Sequence, residues 1–170
     1  VLLVAGPVQL PTPPGVDRVD VQTTAEMRDA VFEGLARATI VIKAAAVADY
    51  RAELPATQKM RRGQDPVTIR LVPNPDILAE VSSRKGNRTV VGFAAETESV
   101  LESAALKLER KGCDLIVAND VSRTDLGFDV DRNEVWIVGP ARGDVTHVPP
   151  AAKHDVAARI LDRIREIRPS

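Results

Sequence analysis

The tract Lys43-Ala44-Ala45-Ala46-Val47-Ala48-Asp49-Tyr50 follows directly on the apolar run Ile40-Val41-Ile42. Small side chains at the carboxyl end of a strand let a ligand approach the backbone closely, and open α/β sheets bind ligands beyond those strand ends. Asp49 then faces a cleft as partner to a metal ion or a hydroxyl; the competing reading is a crowded strand-helix contact with Asp49 capping a turn. Asn74-Pro75-Asp76-Ile77 has the marks of a helix start: a capping side chain, a proline in the first turn and an acid at the positive dipole end. Free amides there can hold phosphate or the polar atoms of a base, although an ordinary cap needs no ligand. Lys107 and Lys111 share one helical face, where two ammonium groups can neutralise a triphosphate or simply meet solvent. Phe93, at the end of the preceding strand, offers a stacking surface for a base. Lys59 lies with Arg61 and Arg62 between Tyr50 and Val67, a stretch of roughly 16 residues that exceeds the usual connection and suits a lid or binding loop. A lid lysine can follow charge developing during group transfer; surface solubility explains it equally well.

Other candidates fail on spacing. No two of the ten glycines are spaced as a dinucleotide fingerprint requires, and no glycine-rich loop ends in Lys-Ser or Lys-Thr. Asp129-Val130-Asp131-Arg132-Asn133 imitates the start of a calcium loop, but its sixth position is Glu134 where glycine is required and its twelfth is Pro140. His147 and His154 have no metal-ligand spacing and read as surface residues. Cys113, after Lys111-Gly112, reads as packing rather than as a nucleophile.

The elements that must position these residues alternate between strand-length apolar runs and helix-period segments, the pattern of a mostly parallel α/β sheet flanked by helices. Strands are expected near 1–5, 18–21, 40–45, 67–72, 89–94, 114–118 and 134–138. Ile40-Val41-Ile42, Thr89-Val90-Val91 and Leu115-Ile116-Val117 do not alternate polar and apolar residues, which predicts central strands covered on both faces. Thr23-Thr24-Ala25-Glu26 is a capping box followed by the stripe Met27, Val31, Leu35. A helix from about Glu98 to Lys111 turns Leu101, Ala104, Ala105 and Leu108 inward and stops at Gly112. A last helix, from about Lys153 to Ile167, buries Val156, Ile160, Ile164 and Ile167. The polar stretch from Asn119 to Asn133 has no periodicity.

A chain of 170 residues with 44% hydrophobic content fits a single domain. With 23 basic and 24 acidic residues there is no overall positive field for nucleic acid or an anionic membrane, so an anionic ligand needs a local cluster. One cysteine excludes an intramolecular disulfide framework and a site of several thiolates, which points to a reducing, cytoplasmic setting. No apolar run approaches the ~20 residues of a membrane span. The opening Val1-Leu2-Leu3-Val4-Ala5 is too short for a signal segment, and the chain is expected to begin inside a larger fold.

Taken in order, Gly6-Pro7-Val8, Leu10-Pro11-Thr12-Pro13-Pro14, Ala44 to Arg51, Lys59, Asn74 to Ile77, Gly92-Phe93-Ala94-Ala95-Glu96-Thr97 and Asp114 to Val121 resemble the phosphopantothenate-cysteine ligase half of the bacterial bifunctional decarboxylase/ligase. The resemblance covers nearly the whole chain. It implies a Rossmann-like homodimer that uses CTP and Mg2+, forms an acyl-cytidylate from 4'-phosphopantothenate, and passes the acyl group to the amine of L-cysteine. It further implies that the backbone of Lys43, Ala44 and Ala45 lines the CTP site, with Asp49 near the ribose or the cation and Asn74, Pro75, Asp76 and Ile77 contacting the nucleotide. Phe93 then flanks it, Lys107 and Lys111 complete the pocket, and Lys59 is the flap lysine needed to form the intermediate. In the family a strand, a glycine-rich turn and a helix with an asparagine used in the second step precede position 1, and a decarboxylase domain is fused. An NAD(P)-dependent oxidoreductase on a similar sheet, or a nucleotide-binding module without catalysis, are the alternatives; the first predicts a glycine fingerprint that the sequence does not show.

Overall fold

A computed structural model describes residues 1–56, 58–62, 66–122 and 130–168. It divides into two compact units, Val1–Glu33 with Ala46–Asp76, and Gly34–Ala45 with Ile77–Ser170.

In the first unit, β1 (Leu2–Ala5) pairs in parallel with β2 (Asp17–Asp20). Arg18 ties the intervening loop down by donating to the carbonyls of Leu10 at 2.7 Å and Val8 at 3.3 Å. The helix α1 (Thr24–Leu35) begins where the capping box requires. Thr23 Oγ1 accepts from the Glu26 N–H at 3.1 Å, while Glu26 Oε2 accepts from Gln22 N at 2.7 Å and Thr23 N at 3.3 Å. After β3 (Ile40–Lys43), which belongs to the other unit, β4 (Tyr50–Ala52) and β5 (Leu71–Pro73) form an antiparallel ribbon. The strand expected over 67–72 is therefore confined to its end; just before it Glu53 N donates to Arg70 O at 3.0 Å and Arg70 Nε lies 3.4 Å from Glu53 Oε2.

The second unit carries a five-stranded sheet in the order β3, β6 (Thr89–Glu96), β7 (Leu115–Asp120), β8 (Arg132–Val138), β9 (Val145–Ala152). The first three are parallel; β8 and β9 add an antiparallel hairpin. Thr89-Val90-Val91 and Leu115-Ile116-Val117 are buried in central strands, as their unbroken apolar runs require. Ile40-Val41-Ile42 is not central. The strand β3 lies at the edge of this sheet, none of its residues is buried and Ile42 is 44% exposed, so this apolar run marks neither a central position nor two covered faces.

The sheet's two faces hold different helices. On one, Val91, Leu115, Val117, Val135, Ile137 and Val148 pack with Val156, Ile160 and Ile164 of α4 (Lys153–Ile167). On the other, α2 (Ile77–Ser83) comes so close to β6 that a Cβ at Gly92 would stand 2.5 Å from Leu78 Cδ2 and 2.9 Å from Ile116 Cδ1. The helix α3 (Val100–Lys111) shares that face and ends as expected at Gly112, whose φ of 66° lets its N–H reach Leu108 O. Ala104 and Leu108 are buried, but Leu101 and Ala105 are exposed: the inward stripe of α3 is narrower than the periodicity implied. Asp114 binds the sheet edge by accepting from Val90 N at 2.8 Å and pairing with Lys85 at 2.6 Å.

Candidate active site

In the first unit, Asp49 lies opposite Asn74 in continuation of the ribbon made by β4 and β5. The Asn74 N–H donates to Asp49 O at 2.7 Å, and its side-chain Nδ2 donates to Ala48 O at 2.8 Å. Its Oδ1 accepts from Arg51 Nη1 at 3.2 Å, and the same nitrogen donates to Pro73 O at 2.7 Å. This overturns the reading of Asn74 as a helix cap. Its side-chain polar atoms are spent on Ala48 and on Arg51 of β4, and the helix that follows starts only at Ile77 and has seven residues, Ile77–Ser83. Asp49 is exposed, and its carboxylate makes no hydrogen bond or ion pair to another described residue. Pro75 is half-buried and Asp76 exposed. Lys59 is also exposed.

In the second unit, Lys43 ends β3, and its Nζ donates to Ala45 O at 3.0 Å, curling over the exposed Ala44 and Ala45. Ile77 is buried in the core at 3% exposure, so any ligand contact there comes from its backbone. Along β6 side chains alternate between faces. Phe93 follows Val91 onto the α4 side, where it packs half-buried against the core. Glu96 follows Gly92 and Ala94 onto the side of α2 and α3, where its Oε1 lies 3.5 Å from Lys107 Nζ. Phe93 and Lys107 therefore stand on opposite faces of the sheet, and only the carboxyl edge is common to both. Lys111 follows Lys107 by one turn and is half-buried. Beside Glu96 in the ladder stands Asp120, whose Oδ1 accepts from the backbone N of Ser122 at 2.9 Å and from its Oγ at 2.6 Å.

Two contributors went unassigned in the sequence: Glu96, partner of Lys107, and Arg51, partner of Asn74. Both contacts join residues far apart in the chain, so no periodic signal marks them. Cys113 is buried, and burial pushes its thiol up to about 11, which leaves almost no thiolate at neutral pH and fits a packing role. His147 stacks on Trp136 at 5.1 Å with its Nε2 2.8 Å from Glu134 Oε1. The described residues hold no group of three or more His, Cys, Asp or Glu able to bind a metal ion, and no helix long and apolar enough to cross a membrane. Of the calcium-loop mimic, Asp129 lies outside the described residues and Arg132 begins β8.

The described residues define an α/β protein whose central sheet is flanked by helices. The chain belongs to the family described as the DNA/pantothenate metabolism flavoprotein C-terminal domain, which matches residues 1–167. It is 52% identical over 141 residues to the coenzyme A biosynthesis bifunctional protein CoaBC of Escherichia coli strain K12, covering 81% of this chain and 35% of that protein. To the protein of the same name from Vibrio cholerae serotype O1 it is 44% identical over 172 residues, covering 98% of this chain and 42% of that one. The chain thus spans well under half the length of these relatives. A crystal structure of the C-terminal domain of a coenzyme A biosynthesis bifunctional protein CoaBC superposes with a TM-score of 0.79 at 34% identity, over 98% of this chain and 75% of that one.

Proposed function

We propose that this chain is a ligase domain of coenzyme A biosynthesis, joining 4'-phosphopantothenate to L-cysteine at the expense of CTP. The observation that carries the reading is that similarity to a coenzyme A biosynthesis bifunctional protein runs over 98% of the chain, and that the family match spans residues 1–167, within which every candidate residue falls.

A free carboxylate is a poor acyl donor because hydroxide is a poor leaving group. The 4'-phosphopantothenate carboxylate therefore attacks the α-phosphorus of CTP, forming the acyl-phosphate bond and releasing pyrophosphate. The amine of L-cysteine then attacks the acyl carbon, CMP leaves, and loss of a proton completes the amide. In this scheme the backbones of Lys43, Ala44 and Ala45 and of Asn74 to Ile77 contact the nucleotide, and Phe93 flanks it. Lys107 and Lys111 offset phosphate charge, and Lys59 serves the first step. Mg2+ bound through phosphates needs only one or two protein carboxylates, and the exposed carboxylate of Asp49, which bonds to no other described residue, fits that need. When bound, the cation neutralises charge on the leaving pyrophosphate.

The chain acts in the cytoplasm as a single ligase domain, fused in the full-length protein to a decarboxylase. A second copy of the chain is the partner that best suits the ribbon formed by β4 and β5. Tyr50, Ala52 and Leu71 share one face, with Tyr50 60% and Leu71 57% exposed, and in the stretch before β5 Ile69 is 62% and Val67 64% exposed, so large apolar side chains stand open to solvent here. Light scattering is expected to give twice the monomer mass, and Ile69→Glu to shift it towards monomer; a monomeric parent protein contradicts the assignment. The functional test is a titration of the full-length protein with CTP, ATP and NADPH. Selective binding of CTP is the expected result, and preference for NADPH rules the ligase reading out.

A further inference from the structure

Arg51 sits in no role required by the chemistry above, yet it holds the residue on which the Asp49 segment depends. An asparagine amide has one accepting and one donating end, and a guanidinium only donates. The Nη1 of Arg51, anchored on Pro73 O at 2.7 Å, meets the amide of Asn74 at 3.2 Å and therefore selects its oxygen. That choice turns Nδ2 towards Ala48 O, 2.8 Å away, while the Asn74 N–H holds Asp49 O at 2.7 Å. Asn74 thus grips two consecutive carbonyls, and the cation decides which way the grip is made. If the amide turned over, a donor would face the guanidinium and an acceptor would face a carbonyl, so both contacts would be lost together.

We propose that Arg51 is a positioning residue of the nucleotide site, acting through Asn74 to fix the Ala48-Asp49 segment rather than by touching the nucleotide. This rests on the functional reading above. The remaining donors of Arg51, Nε and Nη2, make no hydrogen bond to a described residue, so the whole of its observed engagement lies on Nη1.

Steady-state kinetics of the full-length enzyme test it with Arg51→Met, Arg51→Lys, Asn74→Ala and the Arg51→Met/Asn74→Ala double variant. Arg51→Met is expected to raise KM for CTP about tenfold, the effect of losing one charge-assisted hydrogen bond. KM for 4'-phosphopantothenate should stay within about twofold, and Arg51→Lys, which can still donate to both oxygens, should recover most of the loss. In the Asn74→Ala background Arg51→Met should have no further effect, because a residue that acts through another is silent once the other is gone. Additive losses in the double variant, an unchanged KM for CTP in Arg51→Met, or a rise confined to 4'-phosphopantothenate each overturn the inference while leaving the ligase reading intact. A parent enzyme that does not bind CTP overturns both.

Discussion

Lys59→Gln is expected to abolish formation of the acyl-cytidylate, lowering its rate by at least about a hundredfold, the scale on which single cationic or oxyanion-stabilising groups act. The lysine lies between β4 and β5 in a segment where Arg61 and Arg62 are exposed as well, and its side chain makes no hydrogen bond or ion pair to another described residue. An ammonium group not tied to a structural partner is available to charge that appears only as the triphosphate is attacked. Glutamine keeps the length and a hydrogen-bond donor but removes the charge, so the variant isolates the electrostatic contribution. The loss should fall on the first step alone: amide formation from acyl-cytidylate supplied directly should proceed at close to the parent rate. Quenched-flow measurements with labelled CTP and 4'-phosphopantothenate separate the steps. Normal accumulation of labelled intermediate in the variant makes Lys59 a surface residue.

Ile164→Ala should cost about 2–5 kcal/mol, the range for removing a large aliphatic side chain from a core that does not collapse around the gap. Ile164 is fully buried and stands in the cluster that joins α4 to β7, β8 and β9. For a chain of this size, each kcal/mol corresponds to a shift in Tm of roughly 2–4 °C. Leu161→Ala is the matched control on the same helix: at 49% exposure it should change stability by no more than about 1 kcal/mol. Equal melting temperatures for the two variants contradict the packing described for α4.

Where sequence and structure agree, the signal was local. Thr23 and Glu26 make their reciprocal capping bonds, Gly112 ends α3, and the spacing of Val156, Ile160 and Ile164 gives the buried face of α4. Disagreements have physical sources of their own. The strand β9 contains Pro149 and Pro150, which lack the N–H a central ladder needs and so conceal a strand; it exists because it lies at the sheet edge. The three-residue strand β4 is too short for any periodicity to show. Val67, Ile69 and Leu71 alternate as a half-covered strand should, yet they are 64%, 62% and 57% exposed and only Leu71 lies in a strand.

The candidate site was legible in the same uneven way. Asp49, Asn74, Phe93, Lys107 and Lys111 are candidates by type and by position at strand ends and helix turns, each with a structural reading beside the functional one. Their partners do not stand out. Arg51 reaches Asn74 across 23 positions and Glu96 reaches Lys107 across 11, and such contacts depend on the register of strands and helices that residue spacing does not encode. The capping role read for Asn74 failed for that reason: a local rule was outweighed by the Arg51 donor that occupies its Oδ1 and the Ala48 carbonyl that accepts from its Nδ2.

The most direct test of the ligase assignment is pyrophosphate release by the full-length protein, followed with CTP, with ATP and without nucleotide, each in the presence and absence of 4'-phosphopantothenate. Release that requires both CTP and 4'-phosphopantothenate, and that precedes any need for L-cysteine, is the predicted result. Nucleotide binding without pyrophosphate release when 4'-phosphopantothenate is added would contradict it and leave the protein a nucleotide-binding module.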